Sequence, residues 1–313
     1  MRPYLSLAPL QSFTDHHFRN AFQQVLGDVD RFYAPYLKMN NDGTIKNGPK
    51  TDVLPENNPY EPVVPQVMAC NADDFLLMAE YLTDLGYQEI NWNMGCPYPM
   101  VAKRNLGSGI LDKPEMIFAV LDKVIPHLKA RLGIKMRMGY ENTQSILDIF
   151  PALDHYPLEE IIVHARYGKQ LYTGTCDHDR FEESIPLTRH RLVYNGDINT
   201  VEEFRYLSAR FPSIQHWMIG RGAIANPFLF EMIQEDDTSF PDDWKESFQD
   251  FLELLLESHL DTPSVNPGNI LLKMQHYWEY FANGIEEGSH YCKAVKKMKN
   301  LSDYTDFLSI FAE

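Results

Sequence analysis

The sequence predicts an α/β protein: a (β/α)8 TIM barrel over residues 1–238, followed by a small C-terminal α-helical bundle over residues 239–313. Three observations carry that reading. Eight short β-rich runs alternate with helical stretches over about 225 residues, the order a barrel of parallel strands requires. No Gly-x-Gly-x-x-Gly follows the first run, which weakens the competing doubly wound sheet. Beyond an acidic, Pro-containing connector at 236–243 the pattern becomes helix only.

The strand candidates occupy 4–8, 31–34, 63–67, 89–93, 133–137, 160–164, 191–195 and 216–220. Each is a mostly continuous apolar run without strict alternation, as expected of a parallel strand covered on both faces. Helix candidates at 15–26, 73–85, 114–128 and 201–211 are long enough to serve as crossovers. In the last quarter, Trp244, Phe248, Phe251, Leu252 and Leu255 recur at helical spacing, as do Leu271, Met274, Trp278 and Phe281. A third helix is expected near 291–298. These aromatic stripes read as core packing.

The 313 residues are 44% hydrophobic and 23% charged, enough apolar material for a large core, which excludes disorder as the main description. No run approaches the roughly 18 to 20 apolar residues of a spanning helix. The opening MRPYLSLAPL lacks a signal peptide's apolar core and cleavage site. A soluble, cytoplasmic monomer without a membrane partner is expected. Cys70, Cys96, Cys176 and Cys292 lie 26, 80 and 116 residues apart, so no CxxC pair exists, and free thiols without a metal are expected. The net charge of −16 excludes broad attraction to polyanions, so any such partner needs a local basic patch.

In a barrel the C-terminal strand ends form the active face. Polar groups stand there in seven of the eight runs: Gln11, Gln66, Asn93 before Cys96, Lys135 with Arg137, His164 with Arg166, Asn195-Gly196-Asp197, and Gly220-Arg221. Their convergence points to one site. The last two clusters suit a phosphate, because Gly-permitted turns expose backbone N–H groups and Arg221 adds charge. Tight turns alone would also explain the glycines.

Lys135 interrupts an apolar strand, so it needs an anion, a barrel carboxylate or a depressed pKa, and a Schiff-base role is its rival reading. His164 alone reads as a satisfied structural histidine. Cys96, between Gly95 and Pro97 just after a strand, suits an acid or nucleophile facing the cleft, against the alternative of a small buried hydrophobe. Lys103 and Arg104, with Arg166 and Lys169 across the mouth, are candidate contacts to a polyanion; a solvated loop is the alternative.

These residues fall in motifs that resemble the tRNA-dihydrouridine synthase family, in order through almost the whole chain. Ala8-Pro9-Leu10-Gln11-Ser12-Phe13-Thr14-Asp15 is similar to the family's opening, and Asn91-Trp92-Asn93-Met94-Gly95-Cys96-Pro97, continuing to Gly107-Ser108-Gly109-Ile110-Leu111, to its catalytic loop. Ile134-Lys135-Met136-Arg137-Met138-Gly139, Val163-His164-Ala165-Arg166 with Gln170 and Tyr172, Asn195-Gly196-Asp197-Ile198 and Met218-Ile219-Gly220-Arg221-Gly222-Ala223 complete the set. The chain departs from the pattern at Asn91, where an acid is usual, and at Ile110, where a small residue is usual.

The resemblance implies an FMN enzyme that uses NADPH, or NADH, to reduce the C5–C6 bond of a uridine in tRNA. It implies FMN held by Pro9, Leu10, Gln11, Gln66, Lys135, His164, Asn195, Gly196, Asp197, Gly220 and Arg221, with Cys96 as proton donor. Asn93 and Tyr172 would meet the target base, and Lys103, Arg137 and Arg166 are candidate contacts to the tRNA. Hydride would reach uracil C6 and the Cys96 thiol would protonate C5. The C-terminal helices resemble the family's RNA-contacting domain more loosely, and the segment from Leu271 to Met274 leans toward the subfamily acting on position 16. Residues 241–313 hold six Lys against thirteen acids, a balance of −7. Lys293, Lys296, Lys297 and Lys299 nevertheless cluster in one expected helix as candidate tRNA contacts. The rival readings are an FMN barrel oxidoreductase on a small pyrimidine, similar to dihydroorotate dehydrogenase, a Schiff-base lyase using Lys135, and a catalytically silent RNA-binding protein.

Overall fold

The structure, a computed structural model, describes residues 2–60, 63–262 and 266–312. Nine strands, β1 (Tyr4–Leu7), β2 (Arg31–Tyr33), β3 (Val63–Val64), β4 (Gln66–Val67), β5 (Glu89–Met94), β6 (Arg131–Arg137), β7 (Leu158–His164), β8 (Leu192–Asn195) and β9 (His216–Ile219), form one sheet. Its order is β3-β2-β1-β9-β8-β7-β6-β5-β4, and every pairing is parallel.

The two end strands are halves of one stave. Only Pro65 separates β3, which pairs with β2, from β4, which pairs with β5. Proline has no N–H to donate, but its carbonyl still accepts from Asn91 N at 3.0 Å. The sheet therefore closes into eight staves, one for each apolar run in the sequence.

The interior of the barrel is filled by Ala8, Tyr33, Val64, Ile162, Val193 and Met218. Larger side chains, including Trp92 and Trp217, pack between the strands and the outer helices. At the N-terminal end of the barrel, Arg31 and Arg131 both reach Glu89, at 2.8 and 3.1 Å, and Tyr33 donates to Glu160. Polar groups at that end stabilise the barrel and leave the opposite mouth for chemistry.

The outer core runs without a break into the C-terminal helices Trp244–Leu260, Pro267–Phe281, Gly288–Val295 and Leu301–Leu308. Asp15 caps the first helix, His16–Val25, by accepting from Phe18 N at 3.2 Å. That helix turns Phe18 toward Phe251 and Tyr277, with ring centroids 5.5 and 5.4 Å apart. The two expected aromatic stripes are buried as core. The fourth helix was not anticipated, and the third ends at Val295, earlier than expected. No helix among the described residues is long and apolar enough to cross a membrane.

Candidate active site

The C-terminal strand ends open on a cleft of about 310 Å³ lined by Pro9, Leu10, Gln11, Asn93, Cys96, Lys135, Arg137, His164, Tyr172 and Arg221. It continues into a recess whose walls are Asn195, Gly196, Asp197, Gly220 and Arg221, with Lys135 and His164 shared between the two. Of the residues expected to hold a cofactor, only Gln66 lies outside these walls. It sits fully buried beneath them, accepting from Asn93 Nδ2 at 2.9 Å and donating to Asn91 Oδ1 at 2.7 Å. The row of amides fixes Asn93, whose Oδ1 accepts from the backbone N–H groups of Gly95 and Cys96 at 3.1 and 3.0 Å. Asn91 thus does as an acceptor what an acid would do there.

At the recess, Asp197 ties two arginines together. It accepts from both terminal nitrogens of Arg166, one at 2.8 Å, and from Arg221 at 3.2 Å. Those cations hold its carboxyl below the usual range even though burial opposes ionisation. The turns after β8 and β9 meet so closely that a Cβ on Gly222 would lie 2.0 Å from the Ile198 carbonyl oxygen, so only glycine fits. Arg221 and Gly222 begin a short helix, and first-turn amides have no acceptor inside their own helix. The recess thus brings together two arginines and first-turn amides.

Lys135 is buried, and its Nζ donates to Asn195 Oδ1 at 2.8 Å. No carboxylate lies within 4.0 Å of it among the described residues, so the barrel-carboxylate alternative is not realised. Desolvation, with nearby Arg137 as a lesser cause, lowers its pKa to about 7. Arg137 donates to the carbonyl oxygens of Gly95 and Tyr167 at 3.2 and 2.8 Å and lies 5.2 Å from the Tyr172 ring centroid. Burial, with Arg137, Lys135, Arg166 and Arg221 around it, holds the His164 imidazole neutral, well below its ordinary pKa. A neutral ring keeps one acceptor nitrogen.

Cys96 is buried at the other end of the cleft, its sulfur 3.7 Å from the Tyr36 hydroxyl. Its carbonyl accepts from Ser108 N and Oγ at 2.9 and 3.1 Å. Gly107 makes that closure possible: its φ is +55°, and a Cβ there would lie 2.4 Å from the Cys96 oxygen. The loop 107–111 therefore clamps the thiol-bearing turn at a fixed position.

A family model described as Dihydrouridine synthase (Dus) matches residues 6–309. The chain belongs to the dihydrouridine synthase family. It is similar to the tRNA-dihydrouridine(16) synthase of Pseudomonas syringae pv. tomato, 26% identical over 258 residues that cover 77% of this chain and 79% of that one. It is also similar to the probable tRNA-dihydrouridine synthase 2 of Bacillus subtilis, 24% identical over 321 residues covering 99% and 94%. Among solved structures, morphinone reductase aligns with a TM-score of 0.51 and 12% identity over 78% of this chain and 88% of that one, a likeness of fold. As a dihydrouridine synthase-family member, the chain is an oxidoreductase acting on uridine in tRNA.

Not every expected contact stands free in this family member. Arg166 is 2% exposed and committed to Asp197 and to the Gly174 carbonyl, so it does not project from the mouth as a loose cation. Lys169 is exposed but paired with Glu141 at 2.6 Å, and Lys296 with Glu279 at 2.7 Å. Only Lys293 of the lysine cluster lies within a helix; Lys296 is its C-cap, and Lys297 and Lys299 follow in the turn. Lys103, Lys293 and Lys297 are exposed.

Three cleft residues were missed from the sequence, Tyr36, Tyr280 and the exposed Tyr98. Tyr36 follows β2, the strand to which no site residue had been assigned, and its hydroxyl pKa is raised by burial and by Cys96. Tyr280 comes from the helix Pro267–Phe281 and stacks edge-on against Phe13 at 4.8 Å. It stands between Trp278 and Phe281, where the core stripe masked it. Its neighbour Tyr277 donates to the Phe13 carbonyl at 2.5 Å, so the helical unit supplies one wall of the cleft.

Proposed function

We propose that this enzyme reduces the C5–C6 bond of one uridine in tRNA using bound FMN and NADPH, and that the Cys96 thiol donates the proton. The observation that supports this reading is the arrangement of a thiol and a buried, carboxylate-free ammonium on one cleft that ends in an anion recess. FMN fits these residues in charge: its phosphate matches Arg221 and the amides of 221 and 222, and Lys135 matches the electron-rich part of the ring system. When bound, it supplies two-electron chemistry between NADPH and the pyrimidine.

The chain's own groups do the rest. Pro9, Leu10, Gln11, Asn195, Gly196 and Gly220 shape the cofactor walls, and Asp197 acts through the two arginines it holds. Lys135 and neutral His164 face the cofactor as charge and hydrogen-bond partners. Asn93, Arg137 and Tyr172 meet the base, which leaves its stack to enter the cleft. The Cys96 thiol acts as general acid toward the pyrimidine C5. The helices of residues 239–313 extend the tRNA surface through Lys293, Lys296 and Lys297, and the modified position is 16.

Two measurements test the proposal. Sequencing tRNA from a deletion strain should show dihydrouridine lost at position 16 only; loss elsewhere corrects the position, and no loss refutes the function. Purified enzyme should turn over tRNA in preference to free uridine or dihydroorotate. Equal or better use of the small substrate would favour the small-pyrimidine oxidoreductase.

A further inference from the structure

Resting on that reading, we propose that Lys38, Lys46, Lys103 and Arg104 form a phosphodiester-binding patch beside the thiol end of the cleft, which grips the RNA backbone next to the extruded uridine. Two of the four cations, Lys38 and Lys46, come from a hairpin-like excursion after β2 that no sequence motif had singled out. Met39 bridges Ile45 in antiparallel fashion, and Lys46 N donates to Lys38 O at 3.0 Å, which sets the two lysines opposite each other. Like charges directly across an antiparallel pair destabilise it, so the arrangement calls for an anion. Among the described residues none of the four cations has a carboxylate within 4.0 Å. In a chain of net charge −16 the four make a local group of positive charge.

The hairpin and the catalytic loop converge. Lys38 Nζ lies 5.8 Å from the centroid of the Tyr36 ring, and the hydroxyl of that ring is 3.7 Å from Cys96 Sγ. Burial lowers the Lys38 pKa, and the charges of Lys46 and Arg104 lower it further, which places the cations within electrostatic reach of one another. The loop that carries Lys103 and Arg104 also carries Tyr98, which lines the cleft, and Met100, 55% and 84% exposed. Apolar tips flanked by unpaired cations suit a nucleic-acid backbone with unstacked bases. A nicotinamide dinucleotide also carries phosphates, but it offers no run of bases for those tips to meet.

The test measures the binding of a labelled, unmodified tRNA transcript to the cofactor-loaded enzyme by fluorescence anisotropy between 50 and 200 mM KCl. The variants are Lys38→Gln/Lys46→Gln and, separately, Lys103→Gln/Arg104→Gln. Lys123→Gln/Lys129→Gln, exposed lysines at the opposite end of the barrel, remove the same charge as a control. Counterion release gives a slope near 0.7 to 0.9 per phosphate, so each patch pair should flatten the log–log slope by about 1.4 to 1.8 and weaken binding about 25- to 60-fold at 0.1 M salt. The control should change neither by a comparable amount. Patch pairs that behave like the control overturn the inference while leaving the tRNA reading intact. A raised Km for NADPH with unchanged tRNA affinity reassigns the patch to the dinucleotide and also overturns it. Wild-type enzyme that binds no tRNA defeats the functional reading itself, a result distinct from both.

Discussion

Replacing Lys135 by Met tests whether the barrel is built around a missing negative charge. The ammonium is buried, touches only an amide oxygen at 2.8 Å, and titrates at about 7, against an ordinary value of 10.5. At 1.36 kcal/mol per pKa unit, that displacement corresponds to ~5 kcal/mol of penalty on the charged form when no anion is present. In the empty protein at pH 8, therefore, only about a tenth of the molecules carry the charge. An anionic cofactor favours the charged form, so binding at pH 8 should take up most of one proton per site. The sign follows from linkage: affinity is greatest at and below pH 7 and falls by up to about tenfold per pH unit above it. By the same rule, this group makes the empty fold more stable as pH rises from about 7 toward 10.5. Calorimetric titration of apo-protein with FMN in two buffers of different ionisation enthalpy counts the proton directly. Lys135→Met should bind more weakly with no uptake. Equal uptake by wild type and variant, or none by wild type, would refute the assignment.

Cys96→Ala should retain flavin and be reduced by NADPH, yet lose about 10² to 10⁴-fold in tRNA turnover, with Cys70→Ala as a neutral control, in stopped-flow measurements of the two half-reactions. Tyr36→Phe removes the one hydroxyl beside the sulfur. It should slow tRNA turnover by up to about tenfold, the worth of one hydrogen bond, with flavin content unchanged; unchanged turnover would mean that the contact only packs. Gly107→Ala places a Cβ 2.4 Å from the Cys96 carbonyl oxygen in a left-handed turn, so the clamp must open. The expected result is a loss of tRNA turnover that exceeds any loss of flavin content, read from the visible spectrum.

Much of this protein was legible in one dimension. Parallel strands covered on both faces are mostly apolar, so the eight staves appear as eight largely apolar runs, and Lys135 stands out because its charge falls inside the run between Ile134 and Met136. Asn195-Gly196-Asp197 and Gly220-Arg221 stand out as the walls of one recess because turns that expose amides need glycine. The break at Pro65 was visible as a residue but not as the point where the barrel closes, since closure depends on which neighbour each half-strand meets.

The sequence by itself determined the barrel, the succession of site residues around its mouth and the chemistry available there, because periodicity and turn composition are local properties of the chain. Only the tertiary structure decided which charges are spent and which are free. Arg166 finds Asp197 31 residues away and Lys169 finds Glu141 28 residues back, while Lys38 is set against Lys46 and left near Arg104 with no acid. Tyr36 reaches Cys96 across 60 positions, and Tyr280 reaches Phe13 from the far end of the chain. Such pairings are made between loops on neighbouring staves and between the barrel and its helices. Coulomb and hydrogen-bond energies depend on separation in space and on desolvation, and neither is written in sequence spacing.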